Sequence, residues 1–150
     1  MRSDRRRALK RRLGRAFETR LVNPVMRSLL ARGRLGDTYA VLETTGRKSG
    51  QARRTPVANG LRGDTFWLLC AHGERAHYAH NIAADPHVRI GVVEGRSLRW
   101  RAGVAVPLPD DDARARQREL GRGRLGYKLD AVLMRALATD LTTIRVELER

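Results

Sequence analysis

The sequence predicts an α+β fold, a small β-barrel with flanking helices. Five or six short strand-like runs are separated by turn signals, and helical periods fall among them without the regular alternation that parallel βαβ winding needs. The length, 150 residues, suits one domain with one core.

Taken in order, Leu9, Leu13, Phe17 and Leu21 recur every four residues among arginines, a narrow apolar stripe on a basic helix. Asn23 and Pro24 open a second helix through Val25, Met26, Leu29 and Leu30, which Gly33 ends. Residues 1 to 36 therefore read as a basic amphipathic helical segment, and residues 37 to 150 as the barrel domain. Tyr39 to Thr45 is a first strand. Thr55 to Asn59 is expected to pair across the turn at 60 to 64 with Thr65 to Ala71, in a meander. Phe66, Leu68 and Cys70 alternate with Trp67, Leu69 and Ala71, so both faces of that strand need cover. A helix over about Arg75 to Ala84 is closed by Asp85-Pro86.

The next hairpin turns at Glu94-Gly95-Arg96. Val88, Ile90 and Val92 are expected to share its buried face with Leu98, Trp100, Ala102, Val104 and Val106, leaving Arg89, Arg99 and Arg101 opposite. Asp110 to Asp112 open an acidic helix start, and that helix ends near Gly121. Leu129, Val132, Leu133, Ala136 and Leu137 mark another helix face, and Ile144, Val146 and Leu148 a final strand.

Charge narrows the partners. The net charge is +15, but residues 1 to 36 hold twelve Arg/Lys and two acids, a local +10, so the excess is mostly terminal. The single cysteine, Cys70, excludes an intramolecular disulfide, and no apolar run is long enough to span a bilayer. A cytoplasmic location is expected. The chain lacks the apolar stretch of a secretory signal at its start. Nucleic acid is expected to bind only nonspecifically, because aromatic residues are not interleaved with the basic ones and no recognised DNA-binding spacing occurs.

The segment Thr44-Thr45-Gly46-Arg47-Lys48-Ser49-Gly50-Gln51-Ala52-Arg53-Arg54-Thr55-Pro56 places four cations and two glycines in a short turn. Gly46 and Gly50 permit φ > 0, which would let N–H groups converge on an anion. Arg47, Lys48, Arg53 and Arg54 add charge and Ser49 a hydroxyl. The spacing is not that of a Walker loop. A solvated basic hairpin is the bland alternative. No nucleophile elbow or Ser/His/Asp order appears, which disfavours a hydrolase. His72, His77, His80 and Glu74 lack the spacing of a zinc site, so no metal is expected. Cys70 reads as an inert buried thiol.

The run from Leu42 to Pro56, then Leu69-Cys70-Ala71-His72-Gly73, then His80-Asn81-Ile82-Ala83-Ala84-Asp85-Pro86, resembles the deazaflavin-dependent nitroreductase family. The likeness is strongest over residues 39 to 106. It implies a split β-barrel binding coenzyme F420, with Arg47, Lys48, Ser49, Gly50, Arg53, Thr55, Pro56, Ala71, His72, Gly73 and Asn81 along the cofactor. Thr55 and Pro56 would lie nearer its ring. The alternatives are an FMN-binding protein on the same barrel and a basic nucleic-acid-binding protein.

The chain departs from the family pattern at Ala71 and Glu74, where Ser-x-Gly-Gly is usual, and at Tyr78 and Ala79, where Trp and Tyr are usual. The resemblance further implies hydride transfer from reduced deazaflavin to a small apolar electrophile such as a quinone, activated alkene or nitro compound. Tyr127, after the glycine-rich stretch 121 to 126, is the candidate catalytic residue on the substrate side, or else only the start of the last helix. The N-terminal basic helix is a candidate contact for an anionic membrane surface, with barrel packing as its competitor.

Overall fold

The computed structural model describes residues 38–73, 76–95, 97–138 and 140–150. The two helices expected before residue 37 lie outside them. Seven antiparallel strands form one curled sheet in the order β2-β1-β5-β6-β7-β4-β3. They are β1 (Tyr39–Thr45), β2 (Ala52–Ala58), β3 (Leu61–Arg62), β4 (Thr65–Cys70), β5 (His87–Glu94), β6 (Ser97–Leu108) and β7 (Thr142–Leu148). Among the described residues three helices accompany them: α1 (His77–Ala84), α2 (Ala113–Leu120) and α3 (Leu125–Leu137).

Period-2 alternation explains the main core. Ala40 and Leu42 of β1, Val57 of β2, Phe66, Leu68 and Cys70 of β4, and Val88, Ile90 and Val92 of β5 all face inward. They meet Ala105 of β6, Ile144, Val146 and Leu148 of β7, and Ile82 of α1. Just past β2 the chain at Gly60 runs hard against β4. Gly60 accepts a hydrogen bond from Trp67 N–H at 3.0 Å, and a Cβ there would stand 1.9 Å from the Trp67 carbonyl oxygen. Only glycine lets the two backbones pass this closely.

That passage corrects the expected meander. β2 pairs along its length with β1, from Thr45↔Ala52 to Tyr39↔Ala58, while β4 pairs with β3 and β7. The tight 46–51 turn brings β2 back onto β1 before it can reach β4. Both faces of β4 are covered, as expected: Phe66, Leu68 and Cys70 enter the core, and on the other face Arg116 of α2 lies 3.9 Å over the Trp67 ring.

The β5–β6 hairpin turns where expected, with Glu94↔Ser97 the last pair, but the buried face of β6 is the other one. Val88 pairs with Gly103, Ile90 with Arg101 and Val92 with Arg99. Leu98, Trp100 and Ala102 instead lie beside Val93, Gly91 and Arg89 on the outer face, and Val104 and Val106 are exposed. The reason is volume. A Cβ on Gly103 would come within 2.6 Å of the Glu147 carbonyl oxygen and 2.9 Å of Val146, so the crowded interior accepts Gly103 and Ala105 and rejects larger neighbours. Arg99 and Arg101 begin on the inward side near the strand end and reach out to Glu94 at 3.2 Å and Asp64 at 2.7 Å.

Asp112, the last of the three acids expected to open α2, caps it by accepting from Ala115 N–H at 3.0 Å, and Gly121 ends it as expected.

Candidate functional site

The turn between β1 and β2 is closed by its own backbone. Gly46 N–H donates to the Gln51 carbonyl at 2.7 Å, Gly50 N–H to the Gly46 carbonyl at 2.8 Å, and Gln51 N–H to Ser49 Oγ at 3.2 Å. Gly50 has φ 67°, the left-handed region that favours glycine. Gly46 does not: it is needed because a Cβ there would press on Ser49 Oγ at 2.9 Å and the Gln51 carbonyl oxygen at 3.1 Å. Four N–H groups, those of Gly46, Arg47, Gly50 and Gln51, are engaged within the protein. Those four N–H groups therefore do not converge on a common point outside the turn, as the glycines suggested they could.

Helix α1 pins the turn. Asn81, 5% exposed, accepts at Oδ1 from Arg47 N–H at 3.2 Å and Arg47 Nη1 at 3.1 Å, and donates from Nδ2 to Thr44 Oγ1 at 3.1 Å. Buried Ile82 holds this helix on the core. Arg47 thus bonds a neutral amide and keeps an uncompensated charge. Among the described residues no carboxylate pairs with Arg47, Lys48 or Arg53. Arg53 Nη2 reaches Ser49 Oγ at 3.5 Å, leaving that hydroxyl's own proton available to an anion.

Arg54 does not belong to the cluster. Residues paired across an antiparallel ladder share a face, so Thr44↔Arg53 and Leu42↔Thr55 face the barrel side, and Glu43↔Arg54 and Val41↔Pro56 face outward. On that outer face Glu43 accepts from Arg54 Nε at 2.8 Å and from Arg89 Nη1 at 3.0 Å. The Trp100 ring lies under both guanidinium groups, at 4.7 and 4.9 Å. Thr55 and Pro56 therefore face opposite ways, and one planar group meets both only across the free edge of β2.

The segment Ala71, His72 and Gly73 leaves β4 beside Asp140. Asp140 N–H donates to the Ala71 carbonyl at 3.3 Å, and Gly73, with φ 54°, leaves room for the Asp140 carboxylate, whose Oδ2 would be 2.7 Å from a Cβ. Glu74 lies outside the described residues. Tyr127 occupies the first turn of α3, is 3% exposed, and has Arg124 over its ring at 4.9 Å. Gly126 beside it abuts Thr38, so Tyr127 sits near the open end of the β1–β2 hairpin, opposite the cationic turn. Along a seven-residue β1 that separation is roughly 20 Å at about 3.3 Å per residue.

Cys70 is buried, and burial pushes its thiol up from the ordinary cysteine range; burial also raises the Tyr78 phenol, which hydrogen-bonds it. Both groups stay protonated near neutral pH and act as packing. Among the described residues no three His, Cys, Asp or Glu side chains converge on a metal position.

Thr44 is the site residue the sequence reading missed. Its signal was its place opposite Arg53 in a hairpin closed two residues later, but the contact with Asn81 spans 37 positions.

The family model for F420H(2)-dependent quinone reductases matches residues 18–148. The chain belongs to that family. It is an F420H2-dependent reductase, and coenzyme F420 is its cofactor. No curated protein gives a significant match. Among solved structures, an F420 reductase superposes with TM-score 0.60 at 19% identity, over 77% of this chain and 89% of that one. An F420-H2 dependent reductase gives 0.52 at 19%, over 77% and 96%. HutZ, the haem storage protein of Vibrio cholerae, gives 0.52 at 18%, over 76% and 83%. At these identities the structures establish the split-barrel fold, which proteins naming different cofactors share.

The residues present fit the coenzyme. Three cations without carboxylate partners, beside a hydroxyl with a proton to donate, match an acidic, phosphate-bearing tail.

Proposed function

We propose that the chain reduces small apolar electrophiles, quinones foremost, with activated alkenes and nitro compounds in the wider class. The observation that carries the site is the turn bearing Arg47, Lys48 and Arg53, unpaired by acids and tied to α1 through Asn81. Arg47, Lys48 and Arg53 hold the anionic end of the coenzyme, Ser49 donates its hydroxyl proton to it, and Gly50 gives the turn its shape. Thr55 and Pro56 meet the coenzyme along the edge of β2, and Ala71, His72 and Gly73 contribute at the end of β4. Coenzyme F420, when bound and reduced, supplies a hydride. The protein's part is to bind, orient and exclude water, so no side-chain nucleophile is required.

Tyr127, buried under Arg124, shapes the far end of the hairpin, and proton delivery comes from solvent unless the tyrosine is uncovered. Tyr127→Phe separates the two roles, because loss of turnover with unchanged coenzyme affinity would make the phenol a donor. Membrane contact through residues 1 to 36 belongs to the same reading and lies outside the described residues. Among the described residues no helix is long and apolar enough to cross a membrane.

The test is titration of the full-length protein with F420 and, separately, FMN, followed by reduced-coenzyme oxidation with a soluble naphthoquinone. Replacing Arg47 and Lys48 together with Ala is expected to weaken F420 binding by a few kcal/mol at most, since one charge-assisted hydrogen bond is worth about 1.5 to 3 kcal/mol. Unchanged affinity in that variant places the coenzyme elsewhere, and tighter binding of FMN overturns the cofactor reading.

A further inference from the structure

Helix α3 turns an apolar stripe to water. Leu125, Leu129 and Val132 are 72%, 64% and 58% exposed, and their i, i+4, i+7 spacing puts them on one face. Ala136 continues it, also exposed. One flank of the stripe is cationic. Lys128 and Arg135 stand between it and the buried side of the helix, and with Arg118 and Arg122 they rim a hollow of about 370 Å³ between α2 and α3, walled by Ala131 and Val132. None of these four cations pairs with a carboxylate among the described residues.

We infer that this face docks on an anionic lipid bilayer surface, with the leucine stripe entering the headgroup boundary and Arg118, Arg122, Lys128 and Arg135 holding lipid phosphates. Charge complementarity selects this occupant. Residues 1 to 36 carry a local +10 and would be repelled by the four cations. A second copy meeting the same face about a two-fold axis would bring the same cations together. Nucleic acid would satisfy the charges but leave three large apolar side chains in water. An exposed apolar face flanked by lysine and arginine is the pattern of a helix lying in the membrane interface.

The placement also suits the chemistry. The coenzyme turn lies at the opposite end of the β1–β2 hairpin from Gly126 and Thr38, where α3 starts. An acidic tail would therefore bind away from the anionic bilayer, and an apolar acceptor would approach from the lipid side.

The experiment attaches an environment-sensitive fluorophore to full-length protein carrying Leu129→Cys; Cys70, buried and protonated, stays unlabelled. Vesicles of phosphatidylcholine and phosphatidylglycerol in equal parts are expected to shift the emission to the blue and allow quenching by brominated acyl chains. Pure phosphatidylcholine vesicles are expected to do neither, and the same dye at Ala102→Cys is expected to stay in water. Arg122→Glu with Lys128→Glu should weaken vesicle association by roughly thirtyfold or more, on the usual contribution of two basic residues near an anionic surface. Co-sedimentation with the Leu129 dye still in water overturns the inference, because another segment then makes the contact. A concentration-dependent shift without lipid overturns it in favour of a second copy, and a shift on adding duplex DNA in favour of nucleic acid.

Discussion

A buried amide with three hydrogen bonds decides where Arg47 stands. Asn81 links α1 to the turn through the Arg47 backbone and guanidinium and to β1 through Thr44, so its removal strands polar groups as well as freeing the turn. Asn81→Ala is expected to destabilise the fold by about 1 to 3 kcal/mol and to weaken F420 binding, read by urea denaturation and by fluorescence titration. Lost stability with full coenzyme affinity would show that α1 does not position the site. The sequence pointed to Asn81 and Arg47 separately, through their motifs. That they touch was not legible, because they are 34 positions apart and the packing of Ile82, with Tyr78 and Ala79, brings α1 onto the core. Arg54 shows the opposite failure: one residue from Arg53 in sequence, it faces the other side of the sheet and is neutralised by Glu43.

Two glycines separate backbone conformation from space at the scale of an element. At Gly60 a methyl group would collide with the Trp67 carbonyl, whereas at Gly50 nothing lies within 4 Å and only φ 67° opposes a side chain. Gly50→Ala is expected to cost about 1 to 2 kcal/mol from the left-handed backbone. Gly60→Ala is expected to cost up to about 3 kcal/mol, the upper end for overpacking, because the backbone leading into β3 must part from β4. Thermal melts of the pair check this, and an equal or smaller loss at Gly60 would mean that the strands separate freely. Strand β6 teaches the same lesson on register. Its even positions are apolar and its odd positions small or charged, so hydropathy alone favours burying Leu98 and Trp100. Interior volume favours Gly103 and Ala105, and volume wins.

The whole molecule carries few acids against many bases, and several of those acids are committed. Hydrogen bonds from Arg116 hold the Asp111 carboxyl below the ordinary range, which ties α2 to its own start, and Asp64 is held down by Arg101 of β6. A carboxylate depressed in the fold contributes stability above its unfolded value, near 3.9, and loses that contribution as pH falls through the folded value. Stability is therefore expected to stay level above about pH 5 and to fall below pH 4. Asp111→Asn should be less stable at pH 7 and lose less on acidification, as chemical denaturation at both pH values will show. A parallel loss in both proteins would exclude Asp111 as a source of the acid sensitivity.

By itself the sequence determined the barrel class, the ends of β1, the presence of a turn after it and of another at 94–96, the acidic start of α2 and the deazaflavin family, because these rest on local periodicity, turn chemistry and motif; it began β2 at Thr55, three residues late. Tertiary structure alone decided that β2 pairs with β1 rather than β4, which face of β6 is buried, which three of four cations stay uncompensated, and that α3 leaves a leucine stripe in water. Each of those depends on what lies across the sheet or beside the helix, and a side chain's neighbours at long range are set by volume and by the return path of the chain.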